Sequence, residues 1–256
     1  MPVVIAVAGK GGTGKTTICG MLVRHLADRK KGHILAVDAD PNSNLNEVLG
    51  VDAPTTLGEI REGMLDRGEG EVLVMPAGMT KHDYMAFMFG DALAEENGFD
   101  LLVMGRTQGA GCYCYVNGVL KTQIDRYSGS YSHVVVDNEA GFEHISRGTL
   151  PRVDILLLVS DCSRRGVQAA GRAARLAEEL SLKCGAVKLI INRAPDGELS
   201  EGVLEQIELE NLDLIGVLPQ DRNVYDYDSA GYPSANVDED SPIKTALRQI
   251  ILSLGV

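Results

Sequence analysis

The sequence predicts an α/β fold in which a mostly parallel sheet of seven to eight strands is flanked by helices. Short apolar runs alternate with longer amphipathic stretches along the 256 residues, which is the pattern of parallel strands joined by crossover helices. A glycine-rich loop lies between the first apolar run and the first helical stretch. No linker divides the predicted elements, so we expect a single domain over residues 1–256.

The individual elements follow from this alternation. The predicted strands are the apolar runs Val3–Ala8, Ile34–Asp38, Val72–Pro76, Leu101–Met104, His133–Asp137, Ile155–Ser160, Val187–Ile191 and Leu214–Leu218. Helices are predicted to begin near Lys15, Val116, Gly166, Ser200 and Ser241. The last of them is mildly amphipathic and is better explained as a helix packed on the sheet than as a membrane anchor.

Composition limits the classes of function. Residues of apolar type make up 45% of the chain, enough for a sizeable core, and the net charge of −12 opposes a non-specific hold on nucleic acid. The longest apolar runs, such as 155–159, are about a quarter of the roughly 20 residues that a transmembrane helix needs. The first residues have no basic region of a signal sequence. We therefore expect a cytoplasmic protein that binds neither nucleic acid nor membrane, with its five cysteines as thiols.

The glycine-rich loop carries the strongest motif. Residues from Gly9 to Thr16 match G-x-x-x-x-G-K-[ST], in the strand-to-helix context that this phosphate-binding motif requires. Glycines let backbone N–H groups face a phosphate, and the helix N-terminus adds partial positive charge. Lys15 is expected to contact the β- and γ-phosphates, and the Thr16 hydroxyl to bind Mg²⁺.

The loop also resembles the deviant Walker A motif of the MinD/ParA-like P-loop ATPases, a superfamily that includes the nitrogenase iron protein. The resemblance rests on Lys10, which precedes the usual lysine in Lys10-Gly11-Gly12-Thr13-Gly14-Lys15. It implies a homodimer in which Lys10 reaches the nucleotide of the partner, as an arginine finger does.

Acidic residues follow two of the predicted strands. Asp38 ends the second strand, Asp40 follows it by two residues, and Asp137 ends the fifth strand. Such positions lie where α/β folds bind ligands, although each residue alone could be a cap or a turn residue. The resemblance implies that Asp40 positions the attacking water, that Asp38 and Asp137 lie near Mg²⁺, and that Gly141 contacts the γ-phosphate.

The residues after the seventh strand favour adenine over guanine. GTP-specific relatives carry N-K-x-D, whose aspartate accepts hydrogen bonds from guanine, but this chain has proline at that position in Asn192-Arg193-Ala194-Pro195. The resemblance implies an adenine pocket formed by this segment and by the turn after the last strand. The predicted nucleotide-binding residues are Gly9, Lys10, Gly11, Gly12, Thr13, Gly14, Lys15, Thr16, Thr17, Gly141, Asn192, Arg193, Pro219, Gln220 and Asp221. Thr16, Asp38 and Asp137 are the predicted magnesium residues, and Lys10, Lys15 and Asp40 the predicted catalytic ones.

A pair of cysteines forms the second informative motif. In an extended segment Cys112 and Cys114 would point to the same side and present two thiolates together. A two-fold dimer would bring four, a set suited to Zn²⁺ or Ni²⁺. A redox-active pair and an incidental pair of buried cysteines remain alternatives. Cys19, Cys162 and Cys184 have no ligand partner at close spacing and are predicted to be structural.

The segment from Gly111 to Cys114, with Asn117, and the stretch from Asp137 to His144 resemble the CooC-type ATPases. The resemblance extends over essentially the whole chain and implies a metallochaperone ATPase that assists nickel insertion into carbon monoxide dehydrogenase. Three alternatives stay open. They are a maturation ATPase for another nickel enzyme such as acetyl-CoA synthase, a ParA/MinD-type positioning ATPase, and an electron-transfer ATPase with an iron–sulfur cluster.

Overall fold

A computed structural model describes residues 1–30, 32–42, 44–53, 55–60, 78–105, 118, 121–122, 129–139, 152–179 and 184–256. The strands are β1 (Val3–Gly9), β2 (Ile34–Asp38), β3 (Leu93–Glu96), β4 (Phe99–Val103), β5 (His133–Asp137), β6 (Val153–Asp161), β7 (Cys184–Ala194) and β8 (Leu214–Pro219). The helices are α1 (Lys15–Asp28), α2 (Leu45–Leu49), α3 (Lys81–Asp91), α4 (Arg164–Glu179), α5 (Glu201–Leu209), α6 (Arg222–Ser229) and α7 (Pro242–Leu254).

The eight strands form one sheet in the order β3-β4-β2-β5-β1-β6-β7-β8. Neighbouring strands are parallel except β3, which pairs with β4 in the antiparallel direction. The carboxyl ends of β2, β5, β1, β6 and β7 therefore meet at one edge of the sheet, where parallel α/β folds bind ligands. The predicted fold class is confirmed.

Helices cover both faces of this sheet. In β1, Val4 and Ala6 face a core that includes side chains of α3, α4 and α5, while Ile5 and Val7 face a core built with α1, α2 and α7. This alternation explains why the central strands are continuously apolar, since both of their faces are buried. In α7, four apolar side chains (Ile243, Leu247, Ile250 and Ile251) are buried, so the final helix packs on the sheet as predicted. None of the helices in the described parts of the chain has the length and apolar character needed to cross a bilayer.

Seven predicted strands coincide with β1, β2, β4, β5, β6, β7 and β8. The eighth, Val72–Pro76, lies outside the described residues, as does the helix predicted near Val116. The helices predicted near Lys15, Gly166, Ser200 and Ser241 are α1, α4, α5 and α7. Among the elements described above, the helices α2, α3 and α6 and the strand β3 were not predicted.

The edge strand β3 is short and ends in two glutamates, so its apolar character is weak. It is joined to β4 by Asn97-Gly98, and Gly98 has a φ of 91°. This dipeptide is the typical signal of a tight hairpin and could have revealed β3.

Candidate functional site

The glycine-rich loop connects β1 to α1 at the centre of the sheet. Gly9 is the last residue of β1, and a Cβ atom there would lie 2.2 Å from the Val159 carbonyl oxygen of β6. Gly14 immediately precedes α1 with a φ of 89°, and a Cβ atom there would lie 2.4 Å from Asn192 Nδ2. Both positions require glycine because of close approach, and Gly14 requires it also because of its left-handed backbone.

Hydrogen bonds inside the loop converge on one carbonyl group. The Lys10 carbonyl oxygen accepts from Lys15 Nζ at 3.3 Å, from the Thr13 hydroxyl at 2.9 Å and from the Thr13 N–H at 3.4 Å. Lys15 and Thr13 are buried, whereas Lys10 is exposed. The loop thus holds the side chain of Lys15 against its own backbone at the start of α1 and leaves the side chain of Lys10 at the surface.

The end of β7 fastens the same loop from the side. Asn192, which is 3% exposed, donates from Nδ2 to the Thr13 carbonyl oxygen at 2.8 Å. Arg193 donates from Nη1 to the Gly12 carbonyl oxygen at 3.0 Å, and its own N–H donates to Asn192 Oδ1 at 2.9 Å. Two consecutive carbonyl groups of the loop are therefore bound by two consecutive residues of β7.

Two of the predicted aspartates lie side by side. Asp38 and Asp137 end the neighbouring parallel strands β2 and β5 and are in register with each other. Asp137 is 1% exposed, and neither of its carboxylate oxygens has a hydrogen-bond partner among the described residues. Burial raises the pKa of Asp137 from 3.8 to about 7, an increase that the nearby Thr16 hydroxyl and Lys15 ammonium only partly offset.

Asp38 and Asp40 organise the segment after β2. The carboxylate of Asp38 accepts from the N–H of Asp40 at 3.0 Å and from the N–H of Leu45 at 2.9 Å, and so connects β2 to the first residue of α2. Burial raises the pKa of Asp38 to about 6 despite these two bonds. Asp40 accepts from the N–H of Asn42 at 2.8 Å and is partly exposed.

The carboxylate of Asp137 fits a magnesium ion. A buried carboxylate without a hydrogen-bond partner is costly unless a cation or donor compensates it, and oxygen is the ligand atom that Mg²⁺ prefers. The Thr16 hydroxyl and Asp38 are its neighbours. Asp38 is a less direct candidate, because both of its oxygens already accept backbone hydrogen bonds.

A pocket of about 300 Å³ opens beside the loop. It is lined by Gly14 and Thr17 of the loop and α1, and by predicted base-binding residues at the ends of β7 and β8: Asn192, Arg193, Pro219, Gln220 and Asp221. The Asp221 carboxylate accepts from the N–H groups of Asn223 and Ile243, so it caps α6 and contacts the start of α7. The side chain of Asp221 is thereby occupied in supporting one wall of the pocket.

Sequence reasoning missed the wall formed by α6. Val224, Tyr225 and Asp228 line the same pocket, as does Ile243 of α7. The segment is short and polar, and none of its residues is fully buried, so it lacks the apolar run that marks a packed helix. The capping aspartate before it is the signal that could have found this helix, because Asp is favoured at N-cap positions.

The predicted cysteines and Gly141 lie partly outside and partly inside the described residues. Cys112, Cys114 and Gly141 lie outside the described residues, and within the described residues no cluster of three or more His, Cys, Asp or Glu side chains is suited to a metal ion. Cys19 is fully buried on α1, and burial raises its pKa, as expected of a structural thiol. Cys162 is half-buried, with Sγ 3.5 Å from the Arg193 carbonyl oxygen, and Cys184 begins β7.

These features define a P-loop nucleotide-binding protein with two lysines in its phosphate loop. The chain belongs to the CobQ/CobB/MinD/ParA nucleotide-binding domain family, whose sequence profile matches residues 4–233. This places it among the MinD/ParA-type P-loop ATPases. The recognition of that superfamily from the loop sequence is confirmed.

Relatives match this chain over almost its whole length. An uncharacterized ATP-binding protein of Methanocaldococcus jannaschii is 41% identical over 247 residues, which is 96% of each chain. The carbon monoxide dehydrogenase accessory protein CooC of Rhodospirillum rubrum is 32% identical over 241 residues, covering 89% of this chain and 87% of CooC.

Solved structures of the superfamily share the fold. The septum site-determining protein MinD of Pyrococcus horikoshii, complexed with Mg-ADP, superimposes with a TM-score of 0.71 at 20% identity and covers 99% of this chain and 96% of that one. A ParA family ATPase of Chlorobium tepidum gives a TM-score of 0.73 at 20% identity, with 99% and 98% coverage. The eight-stranded sheet is therefore that of the MinD/ParA proteins.

Proposed function

We propose that this protein hydrolyses ATP with Mg²⁺ to drive a two-fold dimer that delivers nickel to a client enzyme. The observation that carries the nucleotide part is the unpartnered carboxylate of Asp137, which lies among the described residues beside Thr16 and Lys15 at the phosphate loop. A buried carboxylate, a hydroxyl and an ammonium group together suit the phosphates of ATP and their magnesium ion.

Each residue of the loop has a definite task in this proposal. Lys15 neutralises the β- and γ-phosphates, and the N–H groups after Gly9 bind their oxygens. Thr16 and Asp137 would hold Mg²⁺, with Asp38 as a further neighbour, and the ion supplies positive charge to the phosphate oxygens. Asp40 orients the attacking water. Gly141, in this proposal, contacts the γ-phosphate.

Lys10 is the residue that supports the proposed dimer. Its side chain is exposed at the carboxyl edge of the sheet, as a residue that reaches a partner subunit must be. ATP held by both copies would bring the two subunits together, and hydrolysis would separate them.

The cargo is proposed from similarity and from the cysteine pair. CooC, at 32% identity over most of both chains, is named for carbon monoxide dehydrogenase. Cys112 and Cys114 of two subunits would supply four thiolates for Ni²⁺ or Zn²⁺. Because binding is reciprocal, metal should then favour the dimer and tighten ATP binding. Carbon monoxide dehydrogenase is the proposed client.

Two measurements test the proposal. Steady-state hydrolysis of ATP should require Mg²⁺ and should fall at least about 100-fold in Lys15→Ala, since that ammonium stabilises charge in the transition state. Equal turnover of the two proteins would refute the nucleotide part. Metal analysis of the wild type against a Cys112→Ser/Cys114→Ser variant, with and without ATP, tests the cargo. Equal metal content in both proteins would remove the metallochaperone role and leave the ATPase.

A positioning ATPase of the ParA/MinD kind is a second candidate. It is favoured by the relative named septum site-determining protein MinD of Thermotoga maritima, 24% identical over 237 residues. Cosedimentation with liposomes and with DNA in the presence of ATP distinguishes the two. Binding to liposomes or to DNA would support this second candidate. A metallochaperone ATPase should bind neither, whether its client is carbon monoxide dehydrogenase or another nickel enzyme such as acetyl-CoA synthase.

A further inference from the structure

The carbonyl groups of a phosphate loop need donors of their own. When the loop turns its N–H groups toward a phosphate, its carbonyl groups point the other way, into the protein. Two of these carbonyl groups, on Gly12 and Thr13, receive hydrogen bonds from the side chains of Arg193 and Asn192 at 3.0 and 2.8 Å. The loop is thus held by side chains at the end of β7.

The backbone of β7 is bent to make this possible. Arg193 has a φ of 58°, in the left-handed region that a non-glycine residue enters only at an energetic cost. Such strain persists where the surrounding structure demands it, and it is concentrated at functional sites. Here the bent backbone brings the guanidinium group over Gly12, and the N–H of Arg193 fixes the orientation of the Asn192 amide.

We propose that Arg193, together with Asn192, is a positioning residue that pre-forms the phosphate loop. This inference rests on the proposed nucleotide-binding function. The sequence predicts only that these two residues contact adenine. Here they also support the phosphate loop, so the same two side chains connect the base pocket to the phosphate site. An adenine base that contacts Asn192 or Arg193 therefore contacts the same side chains that hold the phosphate loop.

A ligand without a base separates the two roles. Inorganic tripolyphosphate with Mg²⁺ has the phosphates of ATP and lacks adenine and ribose. A residue that only contacts the base contributes nothing to tripolyphosphate binding, whereas a residue that shapes the loop contributes to both ligands.

Arg193→Ala is the test variant, because the side chain is exposed and its loss should leave the fold intact. Titration calorimetry should show that this variant binds both MgATP and Mg-tripolyphosphate roughly tenfold more weakly, from the loss of a charge-assisted hydrogen bond. Arg193→Lys, which keeps a charged donor of similar length, should recover most of both affinities.

Two control variants separate loop support from a contact with the base and from a general effect of charge. Tyr225→Ala changes a residue that α6 contributes to the lining of the base pocket, and this variant should bind MgATP more weakly without binding tripolyphosphate more weakly. Arg222→Ala removes one positive charge from the same edge of the protein, at a residue 87% exposed on its side chain, and should leave tripolyphosphate binding unchanged.

Three outcomes would overturn the inference. The first is that Arg193→Ala binds tripolyphosphate as tightly as the wild type does. The second is that Arg222→Ala loses as much tripolyphosphate affinity as Arg193→Ala. The third is that Arg193→Lys recovers none of the affinity that Arg193→Ala loses. Failure of the wild-type protein to bind either ligand would instead refute the proposed function, so the two failures are distinguishable.

Discussion

Replacing Asp137 by asparagine should stabilise the protein above pH 7, although it removes a residue of the site. The carboxylate is buried without a hydrogen-bond partner among the described residues, and its pKa is about 7 instead of 3.8. The folded state binds a proton at Asp137 more tightly than the unfolded state, so the contribution of this group to stability is fully present below pH 4 and is lost as the pH rises through 7. Asparagine has the same shape and carries no charge.

The size of the effect follows from the two pKa values. Burying the ionised carboxylate destabilises the folded protein by about 4 kcal/mol above pH 7. The asparagine amide would itself lack partners, which costs about 1–3 kcal/mol. Asp137→Asn should therefore be more stable than the wild type by about 1–3 kcal/mol at pH 8.5. Near pH 4, where burial of the carboxyl group costs little, the amide penalty remains and the variant should be less stable by about 0.5–2.5 kcal/mol.

Urea denaturation of both proteins without nucleotide, at pH 4, 6 and 8.5, measures this difference. Asp52→Asn is the matched control, because it makes the same chemical change at an exposed position and should alter stability by less than about 0.5 kcal/mol at each pH. An Asp137→Asn variant that is less stable than the wild type at pH 8.5, or equally different at every pH, would refute the reasoning.

Three further predictions concern the loop and its ligands. Gly14→Ala should weaken MgATP binding at least about tenfold in a calorimetric titration, because the new methyl group would lie 2.4 Å from Asn192 Nδ2 at a left-handed backbone; unchanged affinity would contradict this geometry. Lys10→Ala should bind ATP but remain monomeric in sedimentation velocity, and an ATP-dependent dimer of this variant would refute the role of Lys10 in trans. Binding of MgADP should release more protons at pH 6.5 than at pH 8.5, because a cation beside Asp137 lowers the raised pKa of that carboxyl group. Calorimetric titrations in buffers of different ionisation enthalpy would measure the number of protons released. Equal proton release at both pH values would count against this prediction.

The parts of the fold that sequence predicted are those with a strong local signal. The central strands are apolar on both faces, and the glycine-rich loop has a motif whose spacing fixes its context. The edge strand β3 and the polar helix α6 lack such a signal. Their positions depend on a hairpin turn and on the cap at Asp221, which are short features that are easily overlooked.

The candidate site shows the same division. The loop, Asp38 and Asp137 were placed correctly at one edge, because parallel strands bring their carboxyl ends together. The hydrogen bond from Arg193 to Gly12 spans 181 residues and depends on a left-handed backbone, which nothing in the local sequence specifies. Asp221 was predicted to contact the nucleotide, and its engagement with two backbone N–H groups became visible only in three dimensions.

The position of the loop in the sheet has a consequence for how a ligand acts on the whole molecule. Its first residue belongs to β1, which lies between β5 and β6 near the middle of eight strands. Strands of this kind open only when the entire domain unfolds, so their amide hydrogens should be the slowest to exchange with solvent. Nucleotide bound there should slow exchange throughout the sheet, because local opening does not release it.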